Sequence, residues 1–311
     1  MQPAELSGLI LCFSLLMYVL LDGTDLGVGM LFFWFSEEKQ RELMSHSILP
    51  IWDANETWLV LFAGGMLALF PGVYSLVFSS LAAPVFLMLL SLFWRALALE
   101  YRAEATVRLR RWLDRLMAAG SALAAFTQGW CAGVIITPQP DGGINLAAII
   151  SGLGTMTIYM LLASCWLRWR IGDSVFPLAG AHAWMWWVIT LLISIVLLLL
   201  NPSLWLQCWQ RPFGKFIILI MGLFWFLQLV TLWRGNAIWL LIMTLMLITT
   251  TLTGIICAVY PWIIPGQVNL YQGAASIVTQ QVVLVGAAVM IPLTLIYHTW
   301  SFWIMKGHHP K

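Results

Sequence analysis

Long apolar runs broken by short polar or basic stretches set the pattern of the chain from one end to the other. A bilayer crossing needs about 20 predominantly apolar residues. Nine runs come close to or exceed that length: Leu6–Phe35, Ile48–Phe70, Val73–Leu99, Trp112–Ile136, Gly143–Leu167, Trp184–Leu200, Phe213–Leu232, Ile238–Tyr260 and Gln281–Met305. The stretch from Thr57 to Trp94 holds two of them, divided at Pro71-Gly72, a pair that stops one helix and starts another. The pattern predicts an all-α integral membrane protein of about nine transmembrane helices. No strand pattern, phosphate loop, low-complexity tract or internal repeat is visible. No connection is long enough to form a folded domain of its own, so residues 1–311 read as a single polytopic membrane domain.

Composition sharpens this picture. Hydrophobic residues make up 61% of the 311 and charged ones 9%, against roughly 25% charged in an ordinary soluble protein. These residues cannot supply a polar surface, which excludes a soluble enzyme, a disordered chain and a nucleic-acid binder. The N-terminus has no basic region and no Ala-x-Ala site follows the first run, so that run reads as a retained helix. Trp184, Trp186, Trp187, Trp205, Trp209, Trp233, Trp239 and Trp262 fall near span ends, where an interfacial belt is expected. Cys12, Cys131, Cys165, Cys208 and Cys257 stand apart in sequence and read as small packing residues.

The basic residues set an orientation. Connections after odd-numbered spans hold Lys39, Arg41, Arg102, Arg108, Arg110, Arg111, Arg168, Arg170 and Arg234. Arg95 and Arg115 flank the same side, and Lys306 and Lys311 end there, leaving only Arg211 and Lys215 opposite. Under the positive-inside rule this places the N-terminus in the periplasm and the C-terminus in the cytoplasm.

Four acids stand out because they lie inside apolar runs: Asp22 and Asp25 in the first, Asp53 and Glu56 in the second. Each pair is spaced i, i+3 and shares a helix face. A carboxylate in hydrocarbon costs at least ~2.5–3.5 kcal/mol on insertion scales, so these acids are expected to face protein or a polar path. Counted at 1.5 Å per residue, Asp22 lies ~24 Å along the first helix and Asp53 ~7.5 Å into the second. Both pairs then fall in the cytoplasmic half. Burial favours the protonated carboxyl and lets it exchange protons, which suits proton uptake. Structural roles compete with this: Asp22 and Asp25 could bond freed backbone groups, and Asp53 or Glu56 could pair with Arg95. Gly23-x-x-x-Gly27, with Gly29 beyond, predicts close helix packing. His46, His182, His298, His308 and His309 read as interfacial or tail residues rather than axial haem ligands.

Two strings go further: Asp22-Gly-Thr-Asp25-Leu-Gly-Val-Gly29-Met-Leu and Trp52-Asp53-Ala-Asn55-Glu56-Thr-Trp58-Leu. Together they resemble the first two helices of subunit II of the bacterial cytochrome bd quinol oxidases. Phe70-Pro71-Gly-Val-Tyr74, Ser91-Leu-Phe-Trp-Arg95, Glu100-Tyr101-Arg102 and Tyr297-His-Thr-Trp300-Ser-Phe-Trp303 extend the resemblance in order along the chain. Thr24 and Ala54 depart from the family's more frequent aromatic and glycine, which leaves the subtype open, the cyanide-insensitive branch included.

The resemblance implies a multi-pass subunit of a bacterial inner-membrane complex that oxidises membrane quinol and reduces oxygen to water, taking protons from the cytoplasm. It implies two b-type haems and a haem d ligated by a partner, subunit I, with none ligated by this chain; a small single-helix accessory subunit can join them. It also implies proton delivery through the acids of the two motifs, carried over to Asp22, Asp25 and Asp53. Glu56 occupies a position sometimes filled by glutamine. Two other classes fit the residues alone: a stand-alone proton-coupled secondary transporter, and a structural membrane anchor.

Overall fold

The computed structural model describes residues 2–137, 145–172 and 177–305. Lys306, His308, His309 and Lys311 of the expected basic tail, and Gly143 at the expected start of the fifth span, lie outside the described residues. The chain runs through α1 (Pro3–Leu31), α2 (Glu38–Ile48), α3 (Trp52–Leu69), α4 (Pro71–Tyr101), α5 (Val107–Ile136) and α6 (Leu146–Arg170). It continues through α7 (Pro177–Leu200), α8 (Pro202–Gln210), α9 (Gly214–Arg234) and α10 (Ala237–Val259). A short antiparallel ribbon follows, β1 (Trp262–Ile264) with β2 (Val268–Asn269), then α11 (Leu270–Gly273) and α12 (Ile277–Met305).

Eight of the helices among the described residues are long and apolar enough to span a membrane: α1, α4, α5, α6, α7, α9, α10 and α12. The ninth expected span is α3, an 18-residue helix whose first turns carry Asp53, Asn55 and Glu56. Its start corrects the expected boundary. Pro50 has no backbone N–H to continue a helical ladder, and α2 ends at Ile48 while α3 begins at Trp52. Asp53 therefore lies in the first turn of its helix rather than a turn and a half inside it. The ribbon is a second difference. Pro265-Gly266 makes a tight turn, with Gly266 at φ 74°, and the flanking residues pair across it over too short a length to show as alternation.

The chain divides into two compact units, and the division falls within α1 and α4. One comprises Met1–Asp22, Pro50–Ala82 and Pro261–Lys311. In it α3 packs on α12, Phe13 meets Trp58 edge-on at 5.7 Å, and Leu11 lies against Gly65. At one end of this unit Ser7 donates to Gln280 at 3.2 Å, Tyr271 donates to Glu5 at 2.9 Å, and the Ala275 N–H donates to Leu69 O at 2.8 Å. These bonds gather the start of α1, the end of α3 and the start of α12.

The other unit comprises Gly23–Leu49 and Ala83–Tyr260. Here α6 packs against α5, α7 and α10, and α10 packs against α8 and α9. The last part of α1 enters this bundle through missing side chains. A Cβ on Gly27 would stand 2.0 Å from Tyr159 O and 2.7 Å from the Ala163 Cβ of α6; one on Gly29 would stand 2.1 Å from Ser121 Oγ of α5. The close packing expected of these glycines is present. Trp186 and Trp187, placed by the sequence in an interfacial belt, are instead buried. They pack edge-on against Trp34, just beyond α1, at 5.1 Å and against Trp225 of α9 at 5.7 Å.

Outside these contacts large apolar side chains are exposed, Phe86, Phe93, Leu199, Phe216, Val282 and Ile296 among them. A bilayer or a protein neighbour must cover them. Gly27→Ala is expected to lower stability by about 1–3 kcal/mol through overpacking, read as an earlier thermal midpoint of the purified protein. Gly64, with nothing within 4 Å of a would-be Cβ, is the matched control; Gly64→Ala is expected to leave the midpoint unchanged.

Candidate functional site

The first acid pair is interior. Asp22 and Asp25 lie one turn apart on α1 and both are wholly buried. Arg95 on α4 is wholly buried as well, and each of the three has an interaction partner. The next turn of α1 fixes their setting. Gly23 and Gly27 press the backbone onto Tyr159, whose hydroxyl donates to Gln128 Oε1 at 3.1 Å. The second pair differs. Asp53 is exposed on α3 and Glu56 is half-buried, while Asn55 and Trp58, on another face of the same helix, are buried. The i, i+3 spacing holds in both pairs, but the first is wholly buried while the second runs from an exposed Asp53 to a half-buried Glu56.

Trp58 of the second motif meets a residue of the last one. His298 is buried on α12, its ring 5.9 Å from that of Trp58. His298 Nδ1 lies 2.9 Å from Thr294 O. His298 Nε2 and Trp58 Nε1 have no hydrogen-bond partner among the described residues. His182, expected just before a helix, lies inside α7 with its ring 5.0 Å from Phe35. Among the described residues no group of three or more His, Cys, Asp or Glu could hold a metal ion.

Sequence reasoning missed the principal charged cluster. Asp114 on α5 is 2% exposed and sits between two guanidinium groups. Arg102 Nε donates to Asp114 Oδ1 at 2.7 Å, and Arg41 donates to Oδ2 at 3.0 Å. Arg41 also donates to Phe35 O at 2.6 Å and Phe32 O at 2.9 Å, closing the end of α1 where carbonyls have no helical partner. Arg102 and Arg110 each donate to Glu38 Oε1 at 3.0 Å. The Phe32 ring lies 6.0 Å from the Arg41 guanidinium and 5.7 Å from that of Arg102. In the sequence, Asp114 looks like one more charge in the run Arg108-Leu-Arg110-Arg111-Trp-Leu-Asp114-Arg115. The available signal was a single acid among four arginines at the head of an apolar helix.

Burial pushes the Glu38 carboxyl up, but the hydrogen bonds and charges of Arg110 and Arg102 outweigh it and hold the pKa below the ordinary carboxylate value. A folded-state pKa below the unfolded one contributes stability above the unfolded pKa and loses it as pH falls through the folded value. The stability difference between wild type and Glu38→Gln is therefore expected to be present at neutral pH and to vanish in acid, read as thermal midpoints across pH. Glu38 is exposed, so the difference is small. Asp114→Asn leaves two guanidinium groups facing no carboxylate in a buried place and is expected to cost about 3–5 kcal/mol, read as loss of folded protein from the membrane.

A family model of cytochrome bd terminal oxidase subunit II matches residues 4–305. The cytochrome bd-I ubiquinol oxidase subunit 2 of Escherichia coli K12 is 22% identical over 94% of this chain and 92% of its own length. The cytochrome bd ubiquinol oxidase subunit 2 of Bacillus subtilis is 32% identical over 46% of each chain. In fold, the chain is similar to a chain of the bd oxidase from Geobacillus thermodenitrificans, with a TM-score of 0.82, 16% identity, and coverage of 97% of this chain and 99% of that one. The stand-alone transporter finds no support in these likenesses. The described helices, the two acidic motifs in order and a match over nearly the whole length lead to one conclusion: the chain belongs to the cytochrome bd terminal oxidase subunit II family.

Proposed function

We propose that this chain acts in its quinol oxidase as the membrane partner of a haem-bearing subunit I and as part of the route by which cytoplasmic protons enter. Membership of the oxidase complex and of the bacterial inner membrane follows from the family. The division of labour is the proposal. Two b-type haems and haem d belong to subunit I in this reading, and a small single-helix subunit can complete the assembly. Quinol and oxygen are substrates of the complex. The haems supply the electron transfer and oxygen reduction; this chain supplies contact surface and carboxylates.

The observation that carries the proton role is the complete burial of Asp22 and Asp25 inside a membrane-spanning helix. Such acids are costly in hydrocarbon and persist where they serve an ion path or a pairing. Asp25 and Asp22 stand six and nine residues before the end of α1 at Leu31, ~9 and ~14 Å along the helix. Asp53 heads α3, with Glu56 nearly one turn further in. The connection between the two helices, which carries Lys39 and Arg41, follows these positions on α1 and precedes them on α3. In the second unit the ends of α1, α2, α4 and α5 are tied through Asp114 and Glu38. Arg168 at the end of α6 donates to Gly235 O at the end of α9. The positive-inside rule turns that end to the cytoplasm, with the N-terminus periplasmic and the C-terminus cytoplasmic. Asp53 then stands at the cytoplasmic mouth, Glu56 behind it, and Asp22 and Asp25 deeper along the first helix, with the whole chain one polytopic domain.

Asp22→Asn and Asp53→Asn keep the shape and remove the exchangeable proton. In the complex purified through this chain, haem content is expected to equal wild type. Oxygen consumption with quinol is expected to fall at least severalfold, with an altered pH profile. Full haem content with unchanged turnover and pH profile in both variants would remove the proton role. Loss of the assembled complex in either variant would assign that acid to structural pairing instead.

A further inference from the structure

All five cysteines are free, and two of them stand in matching positions on neighbouring helices. On α8 and just beyond it, Trp205, Cys208 and Arg211 follow at i, i+3 and i+6; on α10 and just beyond it, Gly254, Cys257 and Tyr260 do the same. The outer members of these rows touch. Atoms of the Trp205 ring stand 3.2 and 3.7 Å from where a Gly254 Cβ would be, and the Arg211 guanidinium donates to Tyr260 O. Both contacts join residues at the same separation along the chain, so the two rows run side by side in one register. Cys208 and Cys257 are the middle members of that register.

We propose that Cys208 and Cys257 form a disulfide that staples α8 to the end of α10 in the mature protein. Both are thiols in this structure, and Cys257 is close enough to Cys208 to act on its thiol. Cys208 is buried and Cys257 is partly exposed, which fixes the order of chemistry. The Cys257 thiolate attacks a donor disulfide carried by a protein dithiol oxidase, forming a mixed disulfide and releasing one donor thiolate. The Cys208 thiolate then attacks the Cys257 sulfur and expels the second. Two protons and two electrons leave the pair, and the donor disulfide becomes a dithiol.

The setting favours closure. The inference rests on the orientation proposed above, which puts this end of the chain, with Arg211 and Lys215, in the oxidising periplasm, where disulfides persist. Burial, and then the adjacent Cys257 thiol, push the Cys208 thiol up. A thiol of raised pKa is a poor leaving group, so the closed bond resists attack by other thiols. The corner beyond Cys208 is already tight. The Gly214 N–H donates to Arg211 O at 3.1 Å, and a Cβ on Gly214 would meet Cys208 O at 1.6 Å. A bond from Cys208 to Cys257 fixes this corner to a second helix.

The test counts oxidised cysteines. Cells are quenched with N-ethylmaleimide, and the whole complex is denatured, reduced and labelled with a maleimide polymer. This chain is then followed on a gel. Two polymer adducts are expected on wild type, and none on Cys208→Ser or Cys257→Ser, since each leaves a lone thiol that the quench blocks. Wild type without adducts overturns the proposal, as does either serine variant that keeps two. Treating the detergent-solubilised complex with a diffusible disulfide, which reaches both faces, then shows which part failed. Closure there but not in cells faults the orientation; no closure in either faults the geometry. A compartment reporter fused after Gln210 reads the orientation by itself.

Discussion

Asp114 places a carboxyl group where water barely reaches, and the bundle end around it is arranged by that fact. A buried carboxylate needs both a countercharge and filled lone pairs. Arg102 and Arg41 supply both, one from the end of α4 and one from α2. Arg41 has further N–H groups, and these close the carbonyls of Phe32 and Phe35 where α1 ends. Glu38 then joins Arg102 to Arg110. One set of charges ties four helix ends, and each member is held by partners from elsewhere in the sequence. No single pair explains this; removing the central acid leaves two cations facing each other with nothing between them.

That anchoring matters because of what α1 carries. Its end is fixed by Arg41, and its last turns are pressed into α5 and α6 where Gly27 and Gly29 leave room for nothing larger. A helix held at its end and along one side gives Asp25, and Asp22 one turn before it, a defined place in the interior. Proton transfer between carboxyls needs such definition, since geometry precedes pKa in deciding which proton can move. Asp53 has the opposite setting, exposed at the head of α3, and Glu56 beside it is half-buried. In the proposed route an accessible acid would precede buried ones.

The sequence showed the spans well, because hydrocarbon demands long apolar runs and this chain has little else. It also showed the two acidic motifs, since a carboxylate inside such a run stands out against its neighbours. It could not show which face of each pair turns inward: i, i+3 spacing defines a stripe but not its partner. Hydropathy runs unbroken through Pro50, so the apolar run begins at Ile48 while α3 begins about a turn later, at Trp52. Asp114 was hidden for a different reason. Its partners Arg41 and Arg102 lie 73 and 12 residues away, and a charge run at a helix head reads as solvated until the fold closes over it. The same distance in sequence hid the register of α8 beside α10, and with it the meeting of Cys208 and Cys257. Trp186 and Trp187 looked interfacial by position, yet packing against Trp34 and Trp225 drew them inside.

The central claim is that buried carboxyls of this chain gain and lose protons as the oxidase turns over. Redox-induced infrared difference spectroscopy of the intact complex reads this directly through the carbonyl stretch of a protonated carboxyl group. The account predicts a band in that region that shifts in heavy water and is lost in Asp25→Asn, with the haem bands of the same sample unchanged. A difference spectrum in which every protonated-carboxyl band survives replacement of Asp22, Asp25, Asp53 and Glu56 in turn would contradict it.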